Sequence, residues 1–290
     1  MTQTALITGA AIGMGAMMAN KLADRGWTVL AGVLPSETNL ELNTDNANIH
    51  VIEQDVSSDA SVKASAEQAA PYIENGLHLV INNAGIANIA QGVVEGLSIE
   101  ELHRIFEINT FGQLRVVQAF LPALRNASGT RRIINFASGA IVVNPPGSGA
   151  YNMSKHAVHG MTMTLRHELA AFGVEACSIL PGGVKTAMTA NSHETTKAIW
   201  DRVAPAMRDI YFPVLGNTTT KVLPDMLEKT GNSPDYLTDE VLKIATGKKA
   251  LKPSYLVGKE VKPMIPMRRW LSESGLEKAI RSQFKIPSSA

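Results

Sequence analysis

The chain has 290 residues, of which 45% are hydrophobic and 18% charged, and its formal net charge is +1. This is the composition of an ordinary globular protein, and the balanced charge excludes a global electrostatic preference for nucleic acid. The single cysteine, Cys177, lies in an apolar run and is expected to be a buried thiol in a reducing compartment. Neither a secretory leader nor an apolar window of about 18 residues is present, so we expect a cytoplasmic protein.

Apolar runs alternate with segments of helical period from residue 4 to about residue 183. The predicted strands are Thr4–Thr8, Thr28–Val33, Asn48–Gln54, Leu77–Asn82, Arg131–Phe136 and Val174–Leu180. The predicted helices between them are Gly13–Arg25, Ala60–Asn75, Ser98–Arg125 and Tyr151–Phe172. This alternation predicts an α/β, Rossmann-like doubly wound fold with a parallel sheet and right-handed crossovers.

The pattern changes after Thr186. Residues 187–232 lack a clean strand period and are predicted to form a lid insertion over the sheet, because long irregular insertions are commonly functional. Residues 234–247 regain a helical pattern, and Pro253–Val257 predicts one more edge strand. Residues 1–290 are therefore predicted to form a single domain that ends in a basic extension, residues 259–290.

A glycine-rich turn, Thr8-Gly-Ala-Ala-Ile-Gly-Met-Gly15, follows the first strand and opens the first helix. In this context Gly9 allows a tight turn, Gly13 lets the backbone approach a pyrophosphate, and Gly15 allows close helix–strand packing. The helix N-terminus adds amide donors and a partial positive charge. Glycines that serve only a tight turn are the alternative.

Tyr151 and Lys155 are four residues apart at the start of a helix-like run, so both side chains leave one face of the helix. A free phenol titrates near pH ~10, and a neighbouring cation lowers its pKa toward the range of efficient acid–base catalysis. The pattern is short, and a partly buried tyrosine beside a surface lysine is the alternative.

Together these motifs resemble the short-chain dehydrogenase/reductase family. Further family motifs stand in the expected order within residues 4–186: Asn82-Asn-Ala-Gly85, Asn109, Ser138 and Pro181-Gly182. The resemblance implies that Tyr151 is the general acid/base and that Lys155 lowers its pKa and holds the nicotinamide ribose. It also implies that Ser138 hydrogen-bonds the reacting oxygen and that Asn109 anchors a water of a proton relay. The alternatives are a strand-end hydroxyl for Ser138 and an amide bonded within its own helix for Asn109.

The resemblance also implies which residues surround a dinucleotide. Asp55 would contact the adenine, with a turn former or helix N-cap as its alternative role, and Thr186 would hold the carboxamide. The full predicted set is Gly9, Ala11, Ile12, Gly13, Met14, Gly15, Val33, Asp55, Val56, Asn83, Ala84, Gly85, Tyr151, Lys155, Pro181, Gly182, Val184 and Thr186.

Cofactor choice depends on the end of the second strand, where family members carry an acid for a ribose 2′-hydroxyl or an arginine for a 2′-phosphate. Val33 stands there, and neither Lys nor Arg occupies Ala10, Ala11 or Ile12 of the glycine turn. A 2′-phosphate without a cation would be costly to desolvate, so the sequence favours NAD over NADP. Spacing alone does not decide whether Glu37 contributes.

The Ala31-Gly-Val-Leu34 strand ending loosely resembles the family branch of retinol, hydroxysteroid and 3-hydroxybutyrate dehydrogenases. The apolar composition around the site suits a hydrophobic or aromatic secondary alcohol or its ketone. The predicted substrate-binding residues are Ser138, Ala140, Tyr151, Met188, Trp200, Met207 and Tyr211. Packing of the lid on the core is the alternative role for the apolar residues among them.

The seven histidines show no metal-ligand spacing, so no metal is predicted. Residues 241–290 carry a local net charge of +8, which fits membrane-surface contact or a solvated or subunit-contact segment, and we favour the latter. The family resemblance implies a homodimer or homotetramer, paired through the helices Ser98–Arg125 and Tyr151–Phe172. The predicted function is NAD-dependent interconversion of a hydrophobic alcohol and its ketone. The alternatives are an NADP-dependent carbonyl reductase and a dinucleotide-sensing protein without turnover.

Overall fold

The computed structural model describes residues 2–87, 92–185, 192–262, 264 and 270–287. Seven strands form one sheet in the order β3-β2-β1-β4-β5-β6-β7, and every neighbouring pair is parallel. The strands are β1 Thr4–Thr8, β2 Thr28–Val33, β3 Ile49–Glu53, β4 Leu79–Asn82, β5 Arg131–Phe136, β6 Val174–Pro181 and β7 Ser254–Val257. The predicted doubly wound Rossmann-like sheet is confirmed, and the predicted strand ends differ from these by at most two residues.

Helices cover both faces of the sheet because successive strand residues point to opposite sides. Ala5 and Ile7 pack in a core with helices α1 and α10, whereas Leu6 between them packs in a second core with α2, α4 and α6. The helices are α1 Gly13–Asp24, α2 Asp59–Ala69, α3 Ile99–Phe106, α4 Gly112–Asn126, α5 Ala140–Val143, α6 Gly149–Leu169, α7 Ser192–Arg202, α8 Pro205–Asn217, α9 Leu223–Thr230, α10 Pro234–Ala245 and a C-terminal helix Glu273–Gln283. Both cores share one sheet, so the fold is a single domain.

The predicted helix Ser98–Arg125 is not one regular α-helix. A π-helical turn, Glu107–Phe111, separates α3 from α4. Such wide turns are rare and are frequent at functional sites. The residue at its centre is Asn109, which the sequence analysis selects as a site residue.

Helices also form most of the segment predicted to be a lid. Within residues 192–230, α7, α8 and α9 are present, and a second π turn, Thr218–Val222, joins α8 to α9. The indole of Trp200 contacts the ring of Phe212 edge to face, with 5.2 Å between ring centres. The role of this segment as a lid stays a prediction. Met188 within it and Thr186, the predicted cofactor residue just before it, lie outside the described ranges.

Candidate active site

The glycine turn after β1 is held by close backbone contacts. Gly9 adopts a φ of 61°, and a Cβ there would lie 2.9 Å from the α-carbon of Ala84. A Cβ on Gly15 would lie 2.1 Å from the carbonyl oxygen of Gly9, so the start of α1 packs directly on the turn. Gly13 has a φ of 60°, and no described atom lies within 4 Å of the position of its Cβ. The turn is therefore closed by Gly9 and Gly15 and open at Gly13, where the first amide of α1 is located.

The substitution Gly15→Ala should destabilise the fold by about 2 kcal/mol or more, because the new methyl group would overlap a backbone oxygen that has no room to move. The free energy of unfolding from urea titration measures this. Gly160→Ala is the matched control: Gly160 is exposed on α6, no described atom lies within 4 Å of its Cβ position, and alanine should be neutral or stabilising there. Equal effects of the two substitutions would contradict the packing role of Gly15.

The end of β4 is bonded to the glycine turn. The side-chain amide of Asn83 donates to the carbonyl oxygens of Thr8 and Gly9, at 3.0 and 3.1 Å. The hydroxyl of Thr8 accepts from the backbone N–H groups of Asn83 and Ala84, at 3.1 and 2.9 Å. Neighbouring parallel strands end at the same edge of the sheet, so these bonds join two of the predicted cofactor-binding motifs.

Tyr151, Lys155 and Ser138 meet at that same edge. The phenol of Tyr151 lies beside the hydroxyl of Ser138, which follows β5. Lys155 Nζ is buried, donates to the carbonyl oxygen of Phe136 at 2.9 Å and lies 5.7 Å from the centre of the Tyr151 ring. The predicted grouping of these three side chains is therefore present, in a geometry in which hydroxyl, phenol and ammonium are adjacent.

Burial sets the protonation states of this group. Burial lowers the pKa of Lys155 from its ordinary value of 10.5 to about 8. Burial also raises the pKa of Tyr151, and its hydrogen bond with Ser138 opposes that rise. From the sequence we expect the phenol pKa to fall, and this expectation does not hold for the free protein, because loss of solvent outweighs the effect of Ser138. The ammonium donates to a carbonyl oxygen and faces the ring of the tyrosine.

Asn109 connects β4 to the helix that carries Tyr151. Its side-chain Oδ1 accepts from the backbone N–H of Ile86 at 2.8 Å, and its Nδ2 donates to the carbonyl of Ile86 at 2.9 Å and to Ser154 Oγ at 3.2 Å. Ser154 in turn donates to the carbonyl of Tyr151 at 2.8 Å. The amide is not bonded within its own helix, so the alternative role considered for it is wrong. Gly85 lies close to Lys155, since a Cβ on Gly85 would lie 3.4 Å from Lys155 Nζ.

The Pro181-Gly182 segment is held by two residues that the sequence analysis misses. Glu260 accepts a hydrogen bond from the backbone N–H of Gly183 at 2.6 Å, and the side-chain amide of Asn232 donates to the same carboxylate. Asn232 also accepts from Lys185 through its backbone oxygen at 2.9 Å. The only sequence signal is an isolated acid between Lys259 and Lys262, in a segment interpreted as basic surface.

Other predicted cofactor residues serve the fold. Asp55 accepts from the backbone N–H and the hydroxyl of Ser57, at 2.9 and 2.7 Å, which is the turn-forming role considered as its alternative. Val33 and Val56 are buried, with exposed fractions of 5% and 7%. Their side chains therefore face the interior, and any contribution to a ligand comes from their backbone.

The predicted substrate residues separate into two groups. Trp200 is buried, donates through Nε1 to Thr219 Oγ1 at 2.8 Å and lines a cavity of about 160 Å³. Ser148, at the start of the helix that carries Tyr151, lines the same cavity. The hydroxyl of Tyr211 instead donates to Glu95 at 2.6 Å, and Met207 packs beside Gly96. Neither Tyr211 nor Met207 lines that cavity. Ala140 lies next to Ser138, and its backbone N–H donates to the Ser138 hydroxyl at 3.1 Å.

A histidine–carboxylate contact links two helices of the predicted lid. His193 Nε2 lies 3.3 Å from Asp225 Oδ1, and the ring Nδ1 lies 3.2 Å from the carbonyl oxygen of Thr220. Among the described residues, His193, Asp225 and Glu228 could also hold a metal ion, with ligand atoms within 4.8 Å of one another. These side chains are partly or fully exposed, and exposed acidic groups commonly cluster without a metal. In the described part of the chain, no helix is both long and apolar enough to cross a bilayer.

Comparison with known proteins agrees with this geometry. The family model of the short chain dehydrogenases matches residues 3–197. Human short-chain dehydrogenase/reductase family 9C member 7 is 32% identical over 209 residues, which cover 71% of this chain and 66% of that protein. Mouse retinol dehydrogenase 5 is 32% identical over 222 residues, which cover 74% of this chain and 68% of that protein.

A solved structure resembles the whole chain. A short chain dehydrogenase from Burkholderia cenocepacia J2315, in complex with NADP, superposes with a TM-score of 0.71 and 25% identity and covers 99% of this chain and 98% of its own. The matched family model spans the glycine turn, Asn109, Ser138, Tyr151 and Lys155. With the parallel sheet and the edge at which these residues meet, the match shows that the chain belongs to the short-chain dehydrogenase family and is an oxidoreductase of that family.

Proposed function

We propose that the protein uses NAD to interconvert a hydrophobic secondary alcohol and its ketone. The observation that carries this proposal is the grouping of the Tyr151 phenol with the hydroxyl of Ser138 and the buried ammonium of Lys155. An acid–base group, a hydrogen-bond donor and a cation at the carboxyl edge of a doubly wound sheet suit proton exchange with a substrate oxygen.

The residues at this edge fit a dinucleotide. No described atom lies within 4 Å of the Cβ position of Gly13 at the N-terminus of α1, where the first amides and the helix dipole favour an anion. The segments that would hold the cofactor are Gly9–Gly15, Asn83–Gly85 and Pro181–Val184. When bound, the nicotinamide supplies hydride chemistry that no side chain can perform.

The chain's own residues would manage the proton and the substrate oxygen. In alcohol oxidation Tyr151 takes the hydroxyl proton, and in ketone reduction it returns one. Ser138 donates a hydrogen bond to the same oxygen and stabilises the charge that develops there. The cation of Lys155 stabilises the phenolate form of Tyr151, and because the lysine pKa is about 8, this cation is present at neutral pH. The raised pKa of Tyr151 keeps the phenol protonated in the free protein, ready to donate to a ketone.

Apolar side chains define the proposed substrate class. The cavity of about 160 Å³ is lined by Ile199, Trp200, Leu223 and Leu227, with Ser148, Thr196 and Thr219 as its polar residues. Predominantly apolar pockets with few polar groups suit hydrophobic ligands. The likeness to retinol dehydrogenase 5 supports a hydrophobic alcohol in the same way.

A panel of alcohols and ketones tests the substrate class, with nicotinamide absorbance as the readout. Hydrophobic and aromatic secondary alcohols should react with a kcat/KM at least about tenfold above that of short hydroxy acids, because each buried methylene contributes about 1 kcal/mol or more. Leu223→Ala should raise the KM for the best substrate by about tenfold. Val214→Ala is the matched control, since Val214 is exposed on α8 and does not line the cavity. Reaction with hydroxy acids alone would contradict the proposal.

Binding and rate measurements distinguish two alternatives from this proposal. The NADP complex of the Burkholderia cenocepacia protein favours an NADP-dependent carbonyl reductase, and initial rates with both cofactors distinguish it from an NAD enzyme. A dinucleotide-sensing protein would bind NADH and turn over no member of the panel.

We also propose a homodimer or homotetramer in the cytoplasm, paired through α4 and α6. Phe111, Met153 and Phe172 are 41%, 38% and 49% exposed near these helices, and a subunit contact would remove them from water. The basic C-terminal extension stays assigned to solvent or to a subunit contact. Membrane contact is the alternative role of this extension, and Trp270 favours it because the residue is 79% exposed.

A further inference from the structure

The loop between β2 and β3 places an acidic side chain on the glycine turn. Glu41 Oε2 lies 2.7 Å from the backbone nitrogen of Gly13, so the carboxylate accepts a hydrogen bond from the first amide of α1. A carboxylate is favourable at this position because a helix N-terminus carries a partial positive charge. The pyrophosphate of a dinucleotide would use the same donor. Binding of a dinucleotide therefore requires the Glu41 side chain to leave Gly13.

The backbone of Glu41 is fixed even though its side chain is exposed. Its N–H donates to the carbonyl of Ala11 at 2.8 Å, and its carbonyl accepts from the side-chain amide of Asn20 at 3.0 Å. The next residue, Leu42, is 7% exposed and packs in the core that also contains Ala10 and Ala11. The carboxylate can rotate away from Gly13, but the fixed backbone of Glu41 keeps it beside the glycine turn.

We infer that Glu41 is the residue that selects NAD over NADP in this protein; this inference rests on the proposed dinucleotide binding. The two positions at which a cation would accept a 2′-phosphate are the end of β2 and the residues Ala10–Ile12. The end of β2 and the glycine turn are adjacent in the structure, since the N–H of Ala10 donates to the carbonyl of Gly32 at 2.9 Å. The backbone N–H of Glu41 donates to the next residue of the turn, Ala11. An anion therefore stands where an NADP enzyme needs a cation.

The charge of Glu41 acts differently on the two cofactors. Ribose hydroxyls are donors and can hydrogen-bond a carboxylate. A phosphate monoester carries roughly −1.5 to −2 charges near neutral pH and is repelled by it. The basic residue of α1, Lys21, is paired with Asp235 and Asp239 at 2.6 and 2.7 Å and does not offset that charge.

The other candidates in this region do not supply the discrimination. Val33 is buried and uncharged. The carboxylate of Glu37, whose contribution spacing left open, accepts from the backbone N–H of Asn39 at 3.0 Å and so faces its own loop. Glu37 and Glu41 thus form a matched pair: two acids of one loop, of which one contacts the glycine turn.

Fluorescence titration of the protein with NADH and with NADPH, without substrate, tests the inference. We expect the wild type to bind NADH more tightly than NADPH. Glu41→Gln retains an acceptor for Gly13, and it should lower the Kd for NADPH by about tenfold, since a single charge at a partly solvated site contributes an effect of this order. The same variant should change the Kd for NADH by less than about threefold. Glu37→Gln should leave both Kd values within that range.

Three results would overturn the inference. An equal gain in affinity for NADH and NADPH would show that Glu41 only competes with the pyrophosphate. No change in either Kd, or an NADPH-specific gain in Glu37→Gln, would remove Glu41 as the selecting residue and leave the proposed function intact, provided that the wild type binds NADH. A wild type that binds neither dinucleotide would instead refute the proposed function, and the inference with it.

Discussion

Replacing Tyr151 with phenylalanine should lower kcat by about 10³-fold and leave the Kd for NADH within about threefold of the wild-type value. The substitution removes only the phenol oxygen beside Ser138 and keeps the ring beside the ammonium of Lys155. The proton exchange with the substrate oxygen is then lost, while the groups proposed to hold the dinucleotide stay in place. Initial rates on the best substrate of the panel, together with NADH titration, measure both quantities.

The control for this substitution is Tyr72→Phe. Tyr72 is 40% exposed and stacks on His50 at the surface, with 4.0 Å between ring centres, so its hydroxyl should not affect the rate. If Tyr151→Phe retained a third or more of the wild-type kcat, Tyr151 would not be the acid–base group. If the wild type bound NADH and turned over no substrate, the sensing alternative would stand instead.

Lys155→Met should abolish most of the activity and at the same time make the fold more stable by about 2 kcal/mol at neutral pH. A buried ammonium whose pKa falls from 10.5 to about 8 destabilises the folded state by about 3 kcal/mol while it is charged. Methionine removes that charge and fills similar space at the loss of one hydrogen bond, worth about 1 kcal/mol. The carbonyl of Phe136 keeps a partner, because Gln113 Nε2 also donates to it at 3.1 Å.

The pH dependence identifies the buried charge as the cause. Below about pH 8 the lysine is protonated in both folded and unfolded chains, so the full destabilisation is present in the wild type. Between pH 8 and 10.5 the folded lysine is neutral and the unfolded one still protonated, so wild-type stability rises through this window. The advantage of Lys155→Met should therefore shrink as pH rises from about 8, in urea titrations without dinucleotide.

Lys63→Met provides the comparison for this variant. Lys63 is exposed on α2, so its loss should leave both the rate and the free energy of unfolding nearly unchanged. A Lys155→Met protein that is less stable than the wild type at pH 7 would show that the ammonium stabilises this site rather than straining it. Unchanged turnover in the same variant would refute the proposed role of the cation.

The sequence predicted the sheet well because its signals are local. The bounds of β1, β2 and β5 follow from short runs rich in apolar residues, and they match the structure residue for residue. The group Ser138, Tyr151 and Lys155 was predictable because the resemblance fixes both its residue types and its order along the chain. Its pKa values were not, because a pattern shows a neighbouring charge and does not show how much water has been removed.

The residues that sequence reasoning missed act over long separations. Glu41 reaches Gly13 across 28 residues, and Glu260 reaches Gly183 across 77. Each lies in a segment without a periodic pattern, so nothing in its surroundings identifies the partner. The π turn Glu107–Phe111 was missed for a similar reason: it contains no glycine or proline, and Asn109 at its centre bonds to Ile86, which is distant in the sequence.

That wide turn also sets the rotational phase of two helices. An α-helix turns about 100° per residue, and a turn with one additional residue changes which side of the following segment faces inward. Ile105 of α3 faces the start of α6 beside Ala150, whereas Phe120 of α4 faces the sheet. Compared with a regular helix of the same sequence, the added residue rotates α4 by roughly 100° about the helix axis relative to α3. The same added residue therefore sets both the position of Asn109 and the packing of the two helices. This effect depends on the number of residues in the turn and not on their side-chain chemistry.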